Sequence, residues 1–169
     1  MEIISIIRWI HILTMVVVLG GYLFLCVFWW PVIRRATDDV RVQVRLVALT
    51  LRRFFTSVVL ALTVEILTGG LYLIPHAYRS FGSGEEMALA AFHQLLIWKL
   101  AAVFLVIFLV LAQLFGMAFR ITRMDAGILD FDPALFSRIM QRIIMVSYVI
   151  IALLTFTVIV STAMLGAFR

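Results

Sequence analysis

The chain has 169 residues, of which 65% are hydrophobic and only 14% are charged, and its mean hydropathy is +1.18. A soluble domain has about half apolar residues and about a quarter charged ones. The excess apolar residues fall in long runs, and in lipid such runs form helices because their backbone groups find no water to bind. Composition therefore excludes a soluble globular fold and predicts an integral membrane protein.

The net charge of +5 and the pI near 10.1 raise the question of nucleic acid as a partner. The basic residues cluster at the ends of the apolar runs instead of forming a stripe along one surface. That distribution is typical of membrane orientation, and it argues against a nucleic-acid partner. The lipid bilayer is the first partner that the sequence predicts.

The apolar runs predict an all-α, integral membrane four-helix bundle that forms a single transmembrane domain over residues 1–169. The first run, Trp9 to Ile33, is too long for the apolar part of a signal peptide and is interpreted as a retained helix. Pro133 suits the first position of a helix, with Asp132 as its N-cap. The segment Pro75–Gly84 is typical of a polar turn. The four helices are predicted at about 3–33, 45–74, 87–122 and 133–166.

Arginine distribution predicts the orientation of the helices. The first and third links carry most of these residues: Arg34, Arg35, Arg41, Arg45, Arg52, Arg53, Arg120, Arg123, Arg138 and Arg142. The opposite side has Arg8, Arg79 and Arg169. Because Lys and Arg concentrate in cytoplasmic loops, we expect both termini on the periplasmic side of a bacterial inner membrane (N-out/C-out).

Ionisable residues inside apolar helices are costly, so each is a candidate for function. At a rise of 1.5 Å per residue, His11 lies about 34 Å above Arg34 and Lys99 about 31 Å above Arg120, near the outer surface. The same count from Arg53 places Glu65 only about 18 Å up, near the midplane. Glu65 is expected to carry protons or to bind Thr155 or Thr157 on the fourth helix, whereas Lys99 is expected to extend towards the interface.

The three histidines suggest a redox centre. A bis-histidine haem needs two imidazoles at similar height on facing helices, which His11 with His76 or His93 could supply, with Trp98 among the aromatic residues lining the cavity. Copper is a second interpretation, because His11 and Met15 lie one turn apart on one helix face. A third is that each histidine only hydrogen-bonds across helices or faces headgroups.

Short motifs resemble known membrane families. Arg53-Phe54-Phe55, Leu67-Thr68-Gly69 and the run Leu95–Leu100 resemble the copper resistance protein D (CopD) family. Trp9-Ile10-His11-Ile12-Leu13, with Gly21 ten residues after the histidine, resembles HemJ-type protoporphyrinogen oxidases. Val18, Cys26 and Val27 differ from the HemJ pattern, and the resemblance covers about the first 120 residues.

The resemblance implies that His11 is a haem or metal ligand and that Lys99 is a site residue. Together, the resemblance and the histidines predict a haem b-binding redox protein with its haem near the outer face. The haem would exchange electrons with a quinone or an external carrier. Any enzyme activity would be that of a HemJ-like oxidoreductase. Glu65 and Lys99 are the candidate catalytic residues. The alternatives are CopD-type copper transport or delivery, and a non-catalytic subunit of a respiratory or photosynthetic complex. A homo-oligomer or a larger assembly is expected.

Overall fold

The computed structural model describes residues 3–81 and 86–166 and is helical almost throughout. Four helices are long and apolar enough to cross a membrane, which confirms the all-helical prediction: α1 (Ile3–Ala36), α2 (Val40–Ser80), α3 (Glu86–Asp125) and α4 (Pro133–Gly166). In the most apolar window of each, only 17–33% of the residues are buried within the chain. The rest of that apolar surface is available to lipid.

The helices begin where short polar side chains cap them. The Asp39 carboxylate accepts a hydrogen bond from the Arg41 amide at 2.8 Å, so α2 begins at Val40 and not near residue 45 as predicted. The Asp132 carboxylate accepts bonds from the amides of Ala134 and Leu135, as expected of its predicted role before Pro133. Such caps satisfy amides that have no partner within the helix.

The helix α2 also ends later than predicted, because Pro75 lies inside it and does not start a turn. A proline ring clashes with the carbonyl four residues earlier, here that of Leu71, and cannot donate to it. The chain accommodates this with a π-helical segment, Leu67–Leu73, after which the Ile74 amide donates to the Gly69 carbonyl five residues back. A second π-helical segment, Phe24–Trp29, precedes Pro31 in α1 for the same reason. The predicted turn to Gly84 ends in residues 82–85, outside the described residues.

Helix α1 packs against α2 and α4, and α3 packs against α4. Where α2 meets α3, the contact is mainly with the final turns of α3. The Arg41 guanidinium lies 5.0 Å from the centre of the Phe131 ring. The link between α1 and α2 is therefore at the same end as the link between α3 and α4. We call this end, formed by residues 34–53 and 120–142, the arginine-rich end; Arg169, predicted at the other end, lies outside the described residues.

Candidate functional site

A polar cluster joins α1 to α2 far from the arginine-rich end. His11 of α1 directs both ring nitrogens at α2: Nε2 lies 3.0 Å from Oε1 of Glu65, and Nδ1 lies 2.9 Å from Oγ1 of Thr68. The side chains of His11 and Glu65 are only 15% and 12% exposed. Sequence reasoning singled out both residues but did not pair them.

The second carboxylate oxygen of Glu65 also bonds to α1, through Thr14. The Thr14 hydroxyl lies 2.6 Å from Oε2 of Glu65, and Thr14 is one turn after His11 on the same helix. Thr14, His11, Glu65 and Thr68 thus form a closed set of contacts, which we call the His–Glu cluster. Within the described ranges no buried side-chain nitrogen or oxygen lacks a hydrogen-bond partner.

The local backbone of α2 makes this approach possible. A Cβ atom on Gly69 would lie 3.0 Å from Cε1 of His11, so any larger residue would crowd the imidazole ring against the helix. Gly69 lies in the π-helical segment that precedes Pro75. π-helical segments of this kind often occur at functional sites. The Thr-Gly pair that resembles a CopD motif is thus the surface that receives His11.

This geometry predicts different effects for two neighbouring glycines. Gly69→Ala should push the imidazole away from Glu65 and lower the free energy of unfolding by about 1–2 kcal/mol. Gly70→Ala is the matched control, because a Cβ there has nothing within 4 Å. The control should be neutral or slightly stabilising, since alanine favours a helix over glycine by up to about 1 kcal/mol. Unfolding in mixed micelles, followed by circular dichroism, measures both, and equal effects would contradict the close approach.

The structure corrects the predicted depth of Glu65. His11 lies 25 residues before Ala36 at the end of α1, and Glu65 lies 25 residues after Val40 at the start of α2. Both are therefore about 37 Å along their helices from the arginine-rich end. The prediction counted from Arg53, which is well inside α2. Thr155 and Thr157, the predicted partners of Glu65, instead donate to the carbonyls of Ile151 and Leu154 on their own helix.

Lys99 lies at the same level on α3, 26 residues before Asp125. Its partly buried ammonium interacts electrostatically with both Glu65 and His11. A carboxylate and an ammonium at this depth offset each other's charge, so each makes burial of the other less costly. Of the two candidate catalytic residues, Glu65 contacts His11 directly, whereas Lys99 lies at the same level on α3 without a carboxylate within 4.0 Å of its ammonium in the described residues.

The other two histidines are placed differently. His76 and His93 are both exposed, and His93 packs its ring 5.1 Å from that of Tyr78. Among the described residues, neither shares a hydrogen bond or ring contact with His11. Trp98, a predicted lining residue, is 56% exposed.

These positions bear directly on the predicted haem. Both nitrogens of His11 already have oxygen partners on α2, and within the described residues neither His76 nor His93 contacts His11. The residues as arranged do not fit a bis-histidine haem, and haem b stays a prediction from the sequence. Met15, the weaker copper candidate, packs against the hydrophobic core. Residues 3–81 and 86–166 contain no group of three or more Cys, His, Asp or Glu side chains that could hold a metal ion.

A second polar cluster, which sequence reasoning missed, lies nearer the arginine-rich end. The Tyr22 hydroxyl donates to Oε1 of Gln113 at 3.0 Å, and the Gln113 amide donates to the Ile143 carbonyl and the Ser147 hydroxyl at 2.8 and 3.0 Å. Tyr22, Gln113 and Ser147 are all completely buried. The signal was available, because Gln113 is a lone amide inside an apolar run.

Comparison with known proteins adds no relative. No family model matches the chain, and no curated protein or solved structure is similar to it. The CopD and HemJ resemblance therefore stays a prediction, and function must be argued from the two polar clusters and the charge distribution.

Proposed function

We propose that this chain is a multi-pass protein of a bacterial inner membrane, with the arginine-rich end in the cytoplasm and both termini on the periplasmic side. Two facts support the orientation. The two arginine-bearing links share one end of the bundle, as the Arg41–Phe131 contact requires. Lys and Arg near the ends of membrane helices concentrate on the cytoplasmic side. The His–Glu cluster then lies towards the periplasmic side.

We further propose that the protein carries out a proton-coupled reaction in which the His–Glu cluster binds and releases the proton. The observation that carries this proposal is the placement of His11 between Glu65 at Nε2 and Thr68 at Nδ1. Ionisable groups paired inside a membrane commonly mark proton relays or ion pathways. Histidine is the side chain best suited to exchange protons near neutral pH.

The hydrogen bonds allow protonation without movement of heavy atoms. Because an ionised carboxylate can only accept, neutral His11 beside ionised Glu65 carries its proton on Nε2, and Nδ1 can then accept from the Thr68 hydroxyl when that hydroxyl turns away from the Val64 carbonyl. When a proton binds at Nδ1, the ring donates to Thr68, whose own hydroxyl turns to the Val64 carbonyl, 2.7 Å away. Release reverses the steps. Because only a hydroxyl rotates, the site needs little reorganisation energy for each proton that it binds or releases.

Lys99 and Glu65 set the charge around this step. Ionised Glu65 stabilises protonated His11, whereas the ammonium of Lys99 opposes it. The described membrane part of α4, from Ile143 to Gly166, contributes no Asp, Glu, Lys, Arg or His. Together with the burial of the imidazole, the balance between the carboxylate on α2 and the ammonium on α3 sets how readily His11 takes up a proton.

The redox and copper hypotheses concern what such a proton accompanies. Reduction of a quinone commonly consumes protons, and copper transport can be coupled to them, so the proton proposal is compatible with both. A haem ligated by His11 would instead occupy one of the two ring nitrogens that the proton step uses. Haem b with His11 as a ligand, CopD-type copper delivery, and a subunit role in a larger complex all stay predictions. An absorption spectrum of the purified protein, oxidised and then reduced, with metal analysis of the same sample, distinguishes among them.

Nitrogen-15 NMR of the imidazole tests the proton step directly. The chain has three histidines, so His76→Gln with His93→Gln leaves His11 as the single imidazole signal. Between about pH 9 and about pH 4 we expect that signal to change from the Nε2–H neutral form to the doubly protonated form. Glu65→Gln should move the transition to lower pH, because the neutral amide no longer stabilises the imidazolium.

The matched control is Thr63→Val, two residues from Glu65 on the same helix. Thr63 is exposed and donates only to the Val59 carbonyl, so its loss should leave the transition unchanged. A His11 signal that keeps one neutral form across the whole range would overturn the proposal. So would a transition that Glu65→Gln leaves in place.

A further inference from the structure

A cleft at the arginine-rich end lies between α1, α2 and α4, and nothing so far assigns it a role. Trp30 and Arg34 of α1 line it, together with Gln43 of α2 and Phe136, Ser137 and Gln141 of α4. A second cleft beside it is again lined by Trp30 and Arg34, with Pro31 and Arg35. Trp30 and Arg34 are thus common to both.

Three polar side chains of this cleft have free hydrogen-bonding capacity, whereas the fourth, Gln43, donates to the Thr37 carbonyl at 2.7 Å. Within the described residues Arg34 has no carboxylate within 4.0 Å, although Asp38, Asp39, Asp125, Asp130 and Asp132 lie at the same end. The side chains of Ser137 and Gln141 likewise make no hydrogen bond in the described part of the chain. A guanidinium, a hydroxyl and an amide therefore present donors to the cleft without internal acceptors.

The other wall of the cleft is aromatic. The Trp30 indole meets the buried Phe136 ring edge-on, with the ring centres 6.3 Å apart. The donor-rich side of the cleft matches the phosphate headgroup of a lipid, and the aromatic side matches the start of its acyl chain. Tryptophan is enriched at that depth of a bilayer. Basic pockets between membrane helices on the cytoplasmic side commonly bind anionic headgroups.

The kind of basic residue at this end points the same way. All ten Lys or Arg side chains in residues 34–53 and 120–142 are arginine, and the only lysine of the chain is Lys99, at the level of the His–Glu cluster. Positive-inside orientation needs only charge, which lysine supplies equally well. Arginine adds a planar pair of donors that binds two phosphate oxygens at once.

We infer that this cleft binds the phosphate headgroup of an anionic phospholipid from the adjacent leaflet, with Arg34 on the phosphate and Trp30 against the upper acyl chain. The inference depends on the protein spanning a membrane with this end at the headgroups. It does not depend on the proton step at the His–Glu cluster, which is at the other end of α1.

Native mass spectrometry of the protein in mild detergent tests the inference, with phosphatidylglycerol as the probe and phosphatidylcholine as its neutral counterpart. We expect the intact chain to retain phosphatidylglycerol selectively. Arg34→Gln should weaken that binding about tenfold, and Arg34→Lys by a smaller factor because charge remains without the paired donors. The matched control is Arg123→Gln, an exposed arginine at the same end whose guanidinium lies 5.8 Å from the Phe119 ring. It should change the binding less than about twofold.

Three results would overturn the inference. Equal losses in the Arg34 and Arg123 variants would mean that binding follows overall charge and not this cleft. Equal retention of the two lipids would mean that the phosphate contact with Arg34 does not distinguish the anionic headgroup. Displacement of phosphatidylglycerol by millimolar inorganic phosphate would mean that the cleft is a site for free anions. Circular dichroism and size-exclusion chromatography establish that each variant is folded before its binding is compared.

Discussion

Replacing Glu65 with alanine should lower the free energy of unfolding by about 3 kcal/mol. The substitution leaves Nε2 of His11 without its partner at 3.0 Å, and it also removes the nearest of three acceptors of the Thr14 hydroxyl. Because the cluster is largely shielded, water cannot replace these contacts fully. The loss should therefore exceed that expected for a surface ion pair, which contributes at most about 1 kcal/mol.

A double-mutant cycle with His11→Ala separates the pair from its surroundings. We expect the double variant to be more stable than the sum of the single losses by about 1.5 kcal/mol, near the upper end measured for polar pairs inside membranes. Unfolding in mixed micelles supplies all three values, with Thr63→Val as the control on the same helix. Strict additivity would show that His11 and Glu65 do not interact in the folded protein.

The largest loss of stability is expected at the second polar cluster. Gln113→Ala should cost about 4 kcal/mol, because it removes a completely buried side chain and the partners of Tyr22 and Ser147 at once. Gln113→Leu keeps most of the volume and should cost about 2 kcal/mol, because it leaves the buried Tyr22 hydroxyl unpaired while Ser147 keeps its bond to the Ile143 carbonyl.

Two further variants identify the cause. Tyr22→Phe in the Gln113→Leu background removes the hydroxyl that Gln113→Leu leaves unpaired. It should therefore recover part of the lost free energy of unfolding, as measured by the same experiment. Gln94→Ala, at an exposed glutamine of the same helix, should change stability by less than about 0.5 kcal/mol. If Gln113→Leu were as stable as the unaltered chain, the hydrogen bonds between α1, α3 and α4 would contribute nothing measurable.

Much of the fold could be predicted from the sequence, because hydrophobicity and backbone satisfaction act locally. The apolar runs predicted four helices, and the start of α4 at Pro133 was correct because the cap at Asp132 is a matter of adjacent residues. The ends of α2 were wrong. The Asp39 cap was overlooked, and Pro75 was interpreted as a helix stop although a π-helical segment accommodates it.

The candidate site divides in the same way. The sequence by itself identified His11, Glu65 and Lys99, since ionisable residues stand out in apolar helices. Only the tertiary structure decided that His11 and Glu65 meet and that Lys99 lies at their level. The common level of His11 and Glu65 depends on the three-residue link between Ala36 and Val40, which sets α1 against α2. It also depends on Gly69, whose missing side chain admits the imidazole. A residue's type and its distance along one helix are local properties, whereas the register between helices is fixed only when their side chains pack.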